Sequence, residues 1–181
     1  NNLMNADTTA PKIKPKAAVS RNGGSVHQVE VKLKAEFSDT EGSLALALLQ
    51  EAGLNTAREL RTSQIYEIRG PLNMGQVQQA ARDLLCDCVT QEFKLVNQTP
   101  VLNGMNFWRI EVWLKNSVSD NVGDTVRKAI AEMGLPAPDS VRCAVAYHIS
   151  GKCGRNHIEK AVQKCLVNPL IHRFTVSEAH A

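Results

Sequence analysis

Large aromatic rings are scarce in this 181-residue chain: tryptophan, tyrosine and phenylalanine together make up 4% of it. Lysines and arginines are scattered, at a formal net charge of +3. A nucleic-acid platform of stacked aromatic rings interleaved with basic residues is hard to build from such material, so nucleic acid is not an expected partner. Long apolar runs are absent too. None approaches the roughly 20 residues that cross a bilayer, so no membrane span is expected. Cysteine occurs five times, an odd number with no apolar secretory segment ahead of it. Reduced thiols in a cytoplasmic protein are the expectation, not a disulfide framework.

Catalytic and metal signatures are missing as well. There is no G-x-S-x-G, no Walker A loop and no paired-carboxylate constellation that stands out. "HISGKCGRNHIEKAVQKC" gathers His148, Cys153, His157 and Cys165. No C-x-x-C or H-x-x-x-H pair anchors these as four ligands, so zinc is not expected. Cys86 and Cys88 fall on successive faces of a helix end, and their thiols are expected to point apart. His27, His172 and His180 stand alone, as surface or strand-end residues do. No cofactor or metal is expected on the chain itself.

What the chain does contain is one pattern written twice. Residues 1–25 mix Asn, Thr, Pro, Lys and Gly without apolar periodicity, the composition of a disordered leader. Its lysines (Lys12, Lys14, Lys16) suit a solvated tail, with contact to an acidic partner or to organelle import machinery as the alternatives. From Val26 on, the chain aligns with itself at one offset. "SDTEG" begins at Ser38 and "SDNVG" at Ser119, and 119 − 38 = 81. Glu30, Val31, Leu33 and Lys34 recur at that offset as Glu111, Val112, Leu114 and Lys115. Arg61, Tyr66, Ile68 and Gly70 recur as Arg142, Tyr147, Ile149 and Gly151. A common offset over both lengths implies an internal duplication: repeat one over 26–97, a turn-rich linker over 98–107, repeat two over 108–178.

Each repeat reads β-α-β-α-β. In the first strand Val29, Val31 and Leu33 alternate with Glu30, Lys32 and Lys34, as on a half-buried strand. "IEVWLK" does the same with Ile110, Val112 and Leu114 inward. Helices follow at helical spacing, with Gly53 and Gly134 as their stops. A long strand region covers about 58–69 and 140–149, then a second helix and a closing strand near 91–96 and 172–177. Helices that all need one sheet face predict an α+β sandwich.

The repeated phrase sits where a helix starts. Ser38 or Asp39 is an N-cap, and Ser38 with Glu41 has the spacing of a capping box. Ser119 and Asp120 take the same places before the second repeat's first helix, without the glutamate of the box. Gly42 and Gly123 fall in the first turn, where a missing side chain allows another backbone close. Two departures between the repeats suggest a contact surface. Trp113 falls on the outward side of its strand where repeat one has Lys32; it is either a partner contact or covered by the linker. Leu46 and Ala47 replace Arg127 and Lys128, which leaves the first helix apolar nearly all round and in want of a second covering.

"IEVWLKNSVSDNVGDTVRKAIAEMGL", then "SVR", then "LVNPLIHRFTV" resembles the PurS subunit of phosphoribosylformylglycinamidine (FGAM) synthase. The likeness covers 108–177, and 28–97 more faintly. Leu114-Lys115, Asp120-Asn121-Val122-Gly123, Val141-Arg142 and Asn168-Pro169-Leu170-Ile171 stand where the family has Leu-Lys, Asp-Pro-x-Gly, Val-Arg and Asn-Pro-Val-Ile. The Asp-Pro proline is missing from both repeats, and repeat one closes in "CDCVTQEF" without Asn-Pro. The resemblance implies a ferredoxin-like-related fold and a chain that is not itself catalytic. It implies a bridge between an ATP- and Mg-using PurL-type synthetase and a PurQ-type glutaminase, helping ammonia pass between them. Two repeats in one chain would then be a pseudo-dimeric, covalent version of the family dimer. A second resemblance, of "FSDTEGSLALALLQEAGLN" to tandem ACT-type amino-acid-binding modules, stays open beside it. A generic tandem ferredoxin-like binding domain, RNA-binding modules included, stays open as well.

Overall fold

The computed structural model describes residues 24–95 and 107–179. The expected leader as far as residue 23, the linker over 98–106 and His180 lie outside the described residues. Ser25, read as the end of the leader, is the first residue of strand β1 (Ser25–Leu33). Phe107, read as the end of the linker, opens strand β4 (Phe107–Leu114). Between these come α1 (Thr40–Glu51), β2 (Ala57–Gly70), α2 (Met74–Ala80), a π-helical turn (Ala81–Leu85) and β3 (Gln91–Leu95). After β4 come α3 (Asn121–Glu132), β5 (Ser140–Gly151), α4 (Arg155–Cys165) and β6 (His172–Ala179). The fold is α+β. One antiparallel sheet runs in the order β3-β1-β2-β5-β4-β6, with the four helices on one of its faces.

The middle of the sheet is the β2–β5 pair, in register from Arg69–Ser140 to Glu59–Ser150, with an irregularity just before Glu59. Gln64 pairs with Val145 there, and 145 − 64 = 81, so the offset in the sequence carries the centre of the sheet onto itself. The same shift turns the pair Ser63–Ala146 into Ile65–Ala144. Read from either edge, the sheet has a closing strand, a first strand and a long middle strand. Joining β2 to β5 removes two open edges, which otherwise invite pairing with another chain.

Burial beneath the helices crosses this centre. One cluster joins Ala45 and Leu49 of α1 and Leu60 of β2 to Ile110, Ile149, Ile158 and Val162. The other joins Val29, Val31, Ile68, Val77 and Ala80 to Ile130 of α3 and Val141 of β5. Thus α1 completes its burial beside α4, and α3 beside α2. Leu46, whose neighbours in the sequence suggested a partner, packs against the first of these clusters. Ala47, Leu44 and Leu48 remain exposed. Gly53 and Gly134 follow the ends of α1 and α3 at φ of 109° and 82°, a left-handed turn that costs other residues steric strain.

The second face of the sheet is drier than alternation alone suggests. Alternation placed Glu30 in solvent, yet it is 2% exposed. Trp113, read as a surface contact or as linker-covered, is 5% exposed and lies with Ile65, Ala144 and Ala146. Period-two alternation sorts residues by face. It does not say whether the second face is wet.

Candidate functional site

The repeated phrase is a staple between a helix and a strand. Asp39, not Ser38, is the N-cap of α1: its Oδ1 accepts from the Gly42 N–H at 2.8 Å. Its Oδ2 accepts from the Thr62 N–H at 2.6 Å and from the Thr62 hydroxyl at 2.9 Å. Asp120 repeats this with the Gly123 N–H at 2.8 Å and the Cys143 N–H at 2.7 Å. A single carboxylate therefore satisfies a helix-end donor and a strand donor at once, which a serine with one oxygen cannot do. The cap sits one residue later than the Ser38–Glu41 capping box requires, and that box does not form. Ser38 and Ser119 are exposed. A Cβ on Gly42 would sit 2.6 Å from the Leu60 carbonyl oxygen, and one on Gly123 would collide with that of Val141. The helix lies on the strand backbone because nothing stands between them.

Arg142 is a clamp on the preceding loop. Its guanidinium donates to the Leu114 and Lys115 carbonyls at 2.7 and 3.2 Å, and Arg61 does the same to Phe37, Leu33 and Lys34. Asn168 shapes the turn into β6: its side chain accepts from the Leu170 N–H at 3.0 Å, its main-chain N–H donates to His172 Nδ1, and Lys115 Nζ reaches the Pro169 carbonyl. Asp87, 81 residues earlier, builds the same turn. It accepts from the Val89 N–H, its own N–H donates to Gln91, and Lys34 Nζ reaches the Cys88 carbonyl. Reading for the letters Asn-Pro missed this, because either Asp or Asn can accept the hydrogen bond of such a turn. Pro169 itself is exposed.

The chemically densest part of the molecule was not foreseen. On the sheet face away from the helices, Arg109 of β4 reaches Glu30 of β1 in a bidentate pair at 2.8 and 2.9 Å. Ser63 donates to the same carboxylate at 2.6 Å, and Lys94 Nζ lies 3.9 Å from it. Burial alone would push Glu30 up. The hydrogen bonds from Arg109 and Ser63 and the charges of Arg109 and Lys94 outweigh it and hold the carboxyl at about 2. His148 stands beside the pair, its Nε2 2.7 Å from Arg109 Nη1. Burial first, and then the Arg109 charge, lowers His148 to about 4, so its ring is neutral at pH 7 and Nε2 accepts from the guanidinium. Arg109 Nε donates to Glu111 at 3.2 Å, and Glu111 accepts from the Trp113 indole at 3.1 Å. These side chains lie across Ser63 and Ala146, which are small enough to let them pass. At one end of the network opens a cavity of about 390 Å³ between Lys32, Lys94, Glu59, Phe107 and Ser150.

The network ties strands of both halves together and offers no nucleophile. Burial pushes Cys143 up to about 12. Burial, the largest cause, pushes Cys86 up to about 11, and the Cys88 thiol donates to the Arg82 and Cys86 carbonyls at 3.8 and 3.9 Å. Cys143 and Cys86 stay protonated at neutral pH, which makes them poor nucleophiles. His148, Cys153, His157 and Cys165 do not converge: among the described residues no cluster of three or more candidate ligands could hold a metal. Among them, too, no helix is long and apolar enough to cross a membrane.

Residues 108–179 match the family model of PurS, described as phosphoribosylformylglycinamidine (FGAM) synthase. This part of the chain is a PurS-like module, and the antiparallel sheet with its four helices is compatible with that fold. No curated protein matches the chain.

Proposed function

With a PurS-like module over residues 108–179 as the premise, we propose that the chain is the PurS-like component of an FGAM synthase in de novo purine biosynthesis. It works without chemistry of its own. It bridges a PurL-type synthetase, which uses ATP and Mg, to a PurQ-type glutaminase and helps ammonia pass from one to the other. We further propose that residues 26–97 are a second copy of the module. The sheet is then an intramolecular dimer whose pseudo-twofold passes through Gln64–Val145. The family match carries the reading, and the palindromic strand order supports the second copy. A solvated, charged exterior and reduced thiols suit the cytoplasm, where such a synthase would act. The match lends no support to an amino-acid-binding module.

Reconstitution tests the proposal. The synthetase and glutaminase that accompany this chain are assayed for FGAM formation with glutamine or with ammonia as nitrogen donor. Glutamine-dependent turnover should require the chain, while ammonia-dependent turnover should depend on it less. Full glutamine-dependent activity without the chain would overturn the proposal.

A further inference from the structure

The two halves of the open sheet face are filled differently. In the second half the Trp113 ring lies on Ile65, Ala144 and Ala146, with the Arg173 guanidinium over it at 5.4 Å. The positions 81 residues earlier are Lys32 and Glu92, which form an exposed ion pair at 3.3 Å. Beside that pair lies the cavity of about 390 Å³. Its size falls among those that hold small molecules, roughly 300–1,000 Å³.

Its walls carry cations whose own partners hold them loosely. Lys94 is half-buried and its nearest acid, Glu30, is 3.9 Å away, beyond hydrogen-bond reach. Both oxygens of that carboxylate are already held by Arg109, and one of them by Ser63 as well. The ammonium has a long ion pair and, among the described residues, no hydrogen bond to an acid, so an anion brought from outside can add the acceptor it lacks. Lys32 is held only by an exposed pair of the kind worth about 0–1 kcal/mol, so it can turn to a better anion at little loss. Further along β2, Glu59 faces Ser150 across the strand pair and forms no ion pair among the described residues. Phe107 and Leu33 supply the apolar part of the wall. Behind it, Arg61, Arg109, His148 and Glu30 are tied to main chain or to one another. A wall already ordered loses little freedom when a ligand arrives.

We propose that this cavity is a binding site for a small organic anion. Its carboxylate or similar group is held by Lys32 and Lys94, its flat apolar body rests against Phe107, and a hydroxyl donates to Glu59 or Ser150. Trp113 denies the corresponding place in the second half to such a ligand. The site stands on side-chain geometry alone and is independent of the proposed part in FGAM synthase.

The probe is 4-hydroxybenzoate, titrated into the full chain by calorimetry at low salt, with phenol as the control that lacks the carboxylate. Saturable one-to-one binding with a dissociation constant near or below about 1 mM is expected, and none for phenol. Lys94→Met should weaken it at least about tenfold. Lys32→Trp, which gives the first half the ring found in the second, should abolish it. Thermal melts establish that each variant is folded. If Lys32→Trp fails to fold, Lys94→Met decides. No saturable binding up to about 10 mM, equal binding of phenol, or binding unchanged in the folded variants would overturn the site.

Discussion

Replacing Arg109 by methionine keeps much of the side-chain volume and removes the cation that Glu30 faces. Two estimates bear on the cost. Breaking a buried ion pair by deleting one partner typically costs about 3–5 kcal/mol, since the other charge stays buried and uncompensated. Independently, a carboxyl that titrates at about 2 in place of its ordinary 4.5 is worth about 3 kcal/mol at neutral pH. The lower figure is the better expectation, because Arg109 keeps some contact with solvent and Ser63 and Lys94 remain beside Glu30. Urea unfolding at pH 7 should therefore show Arg109→Met less stable by about 3 kcal/mol, with an unchanged slope. The pH dependence is the sharper test. Glu30 is lowered on folding, so the unfolded chain takes up its proton first, and wild-type stability is lost as pH falls from about 4.5 towards 2. In Arg109→Met burial dominates and raises Glu30, so this contribution changes sign: acidification neutralises the stranded carboxylate and stability is gained. A double variant with Glu30→Gln should recover part of the loss. Equal pH dependence in wild type and Arg109→Met between pH 5 and 2, or a cost below about 1 kcal/mol, would refute the assigned role of the pair.

His148 is lowered on folding to about 4 from 6.5, so its contribution is present above pH 6.5 and lost as pH falls through 4; His148→Gln should flatten the stability profile over that window in urea titrations. Gly123→Ala forces a Cβ into the Val141 carbonyl and should cost about 1–3 kcal/mol or more, read from the denaturation midpoint. Trp113→Ala should lower the melting temperature of the free chain, at about 3–5 kcal/mol for an aromatic cut out of a core. A Trp113→Ala protein as stable as wild type, but with weakened binding to a synthetase, would restore the surface role that its burial argues against.

Strand-to-helix order, the stops at Gly53 and Gly134 and the helix starts near Asp39 and Asp120 were legible in the sequence, because alternation, left-handed glycine and capping are local rules. The exact cap was not, since Ser38 and Asp39 both suit it. What decided for aspartate was the second donor, the N–H of Thr62, which lies 23 residues away and is brought there only by the packing of α1 on β2. Leu46 announced a need for covering, but not that α4 supplies it. The fate of the outward side chains depended still more on the assembled sheet. Glu30 and Arg109 are 79 residues apart and meet because β2 and β5 pair through the centre. Only there do the small side chains of Ser63 and Ala146 leave room for a charged pair to lie flat, and for Trp113 to be buried on a face that alternation had assigned to water.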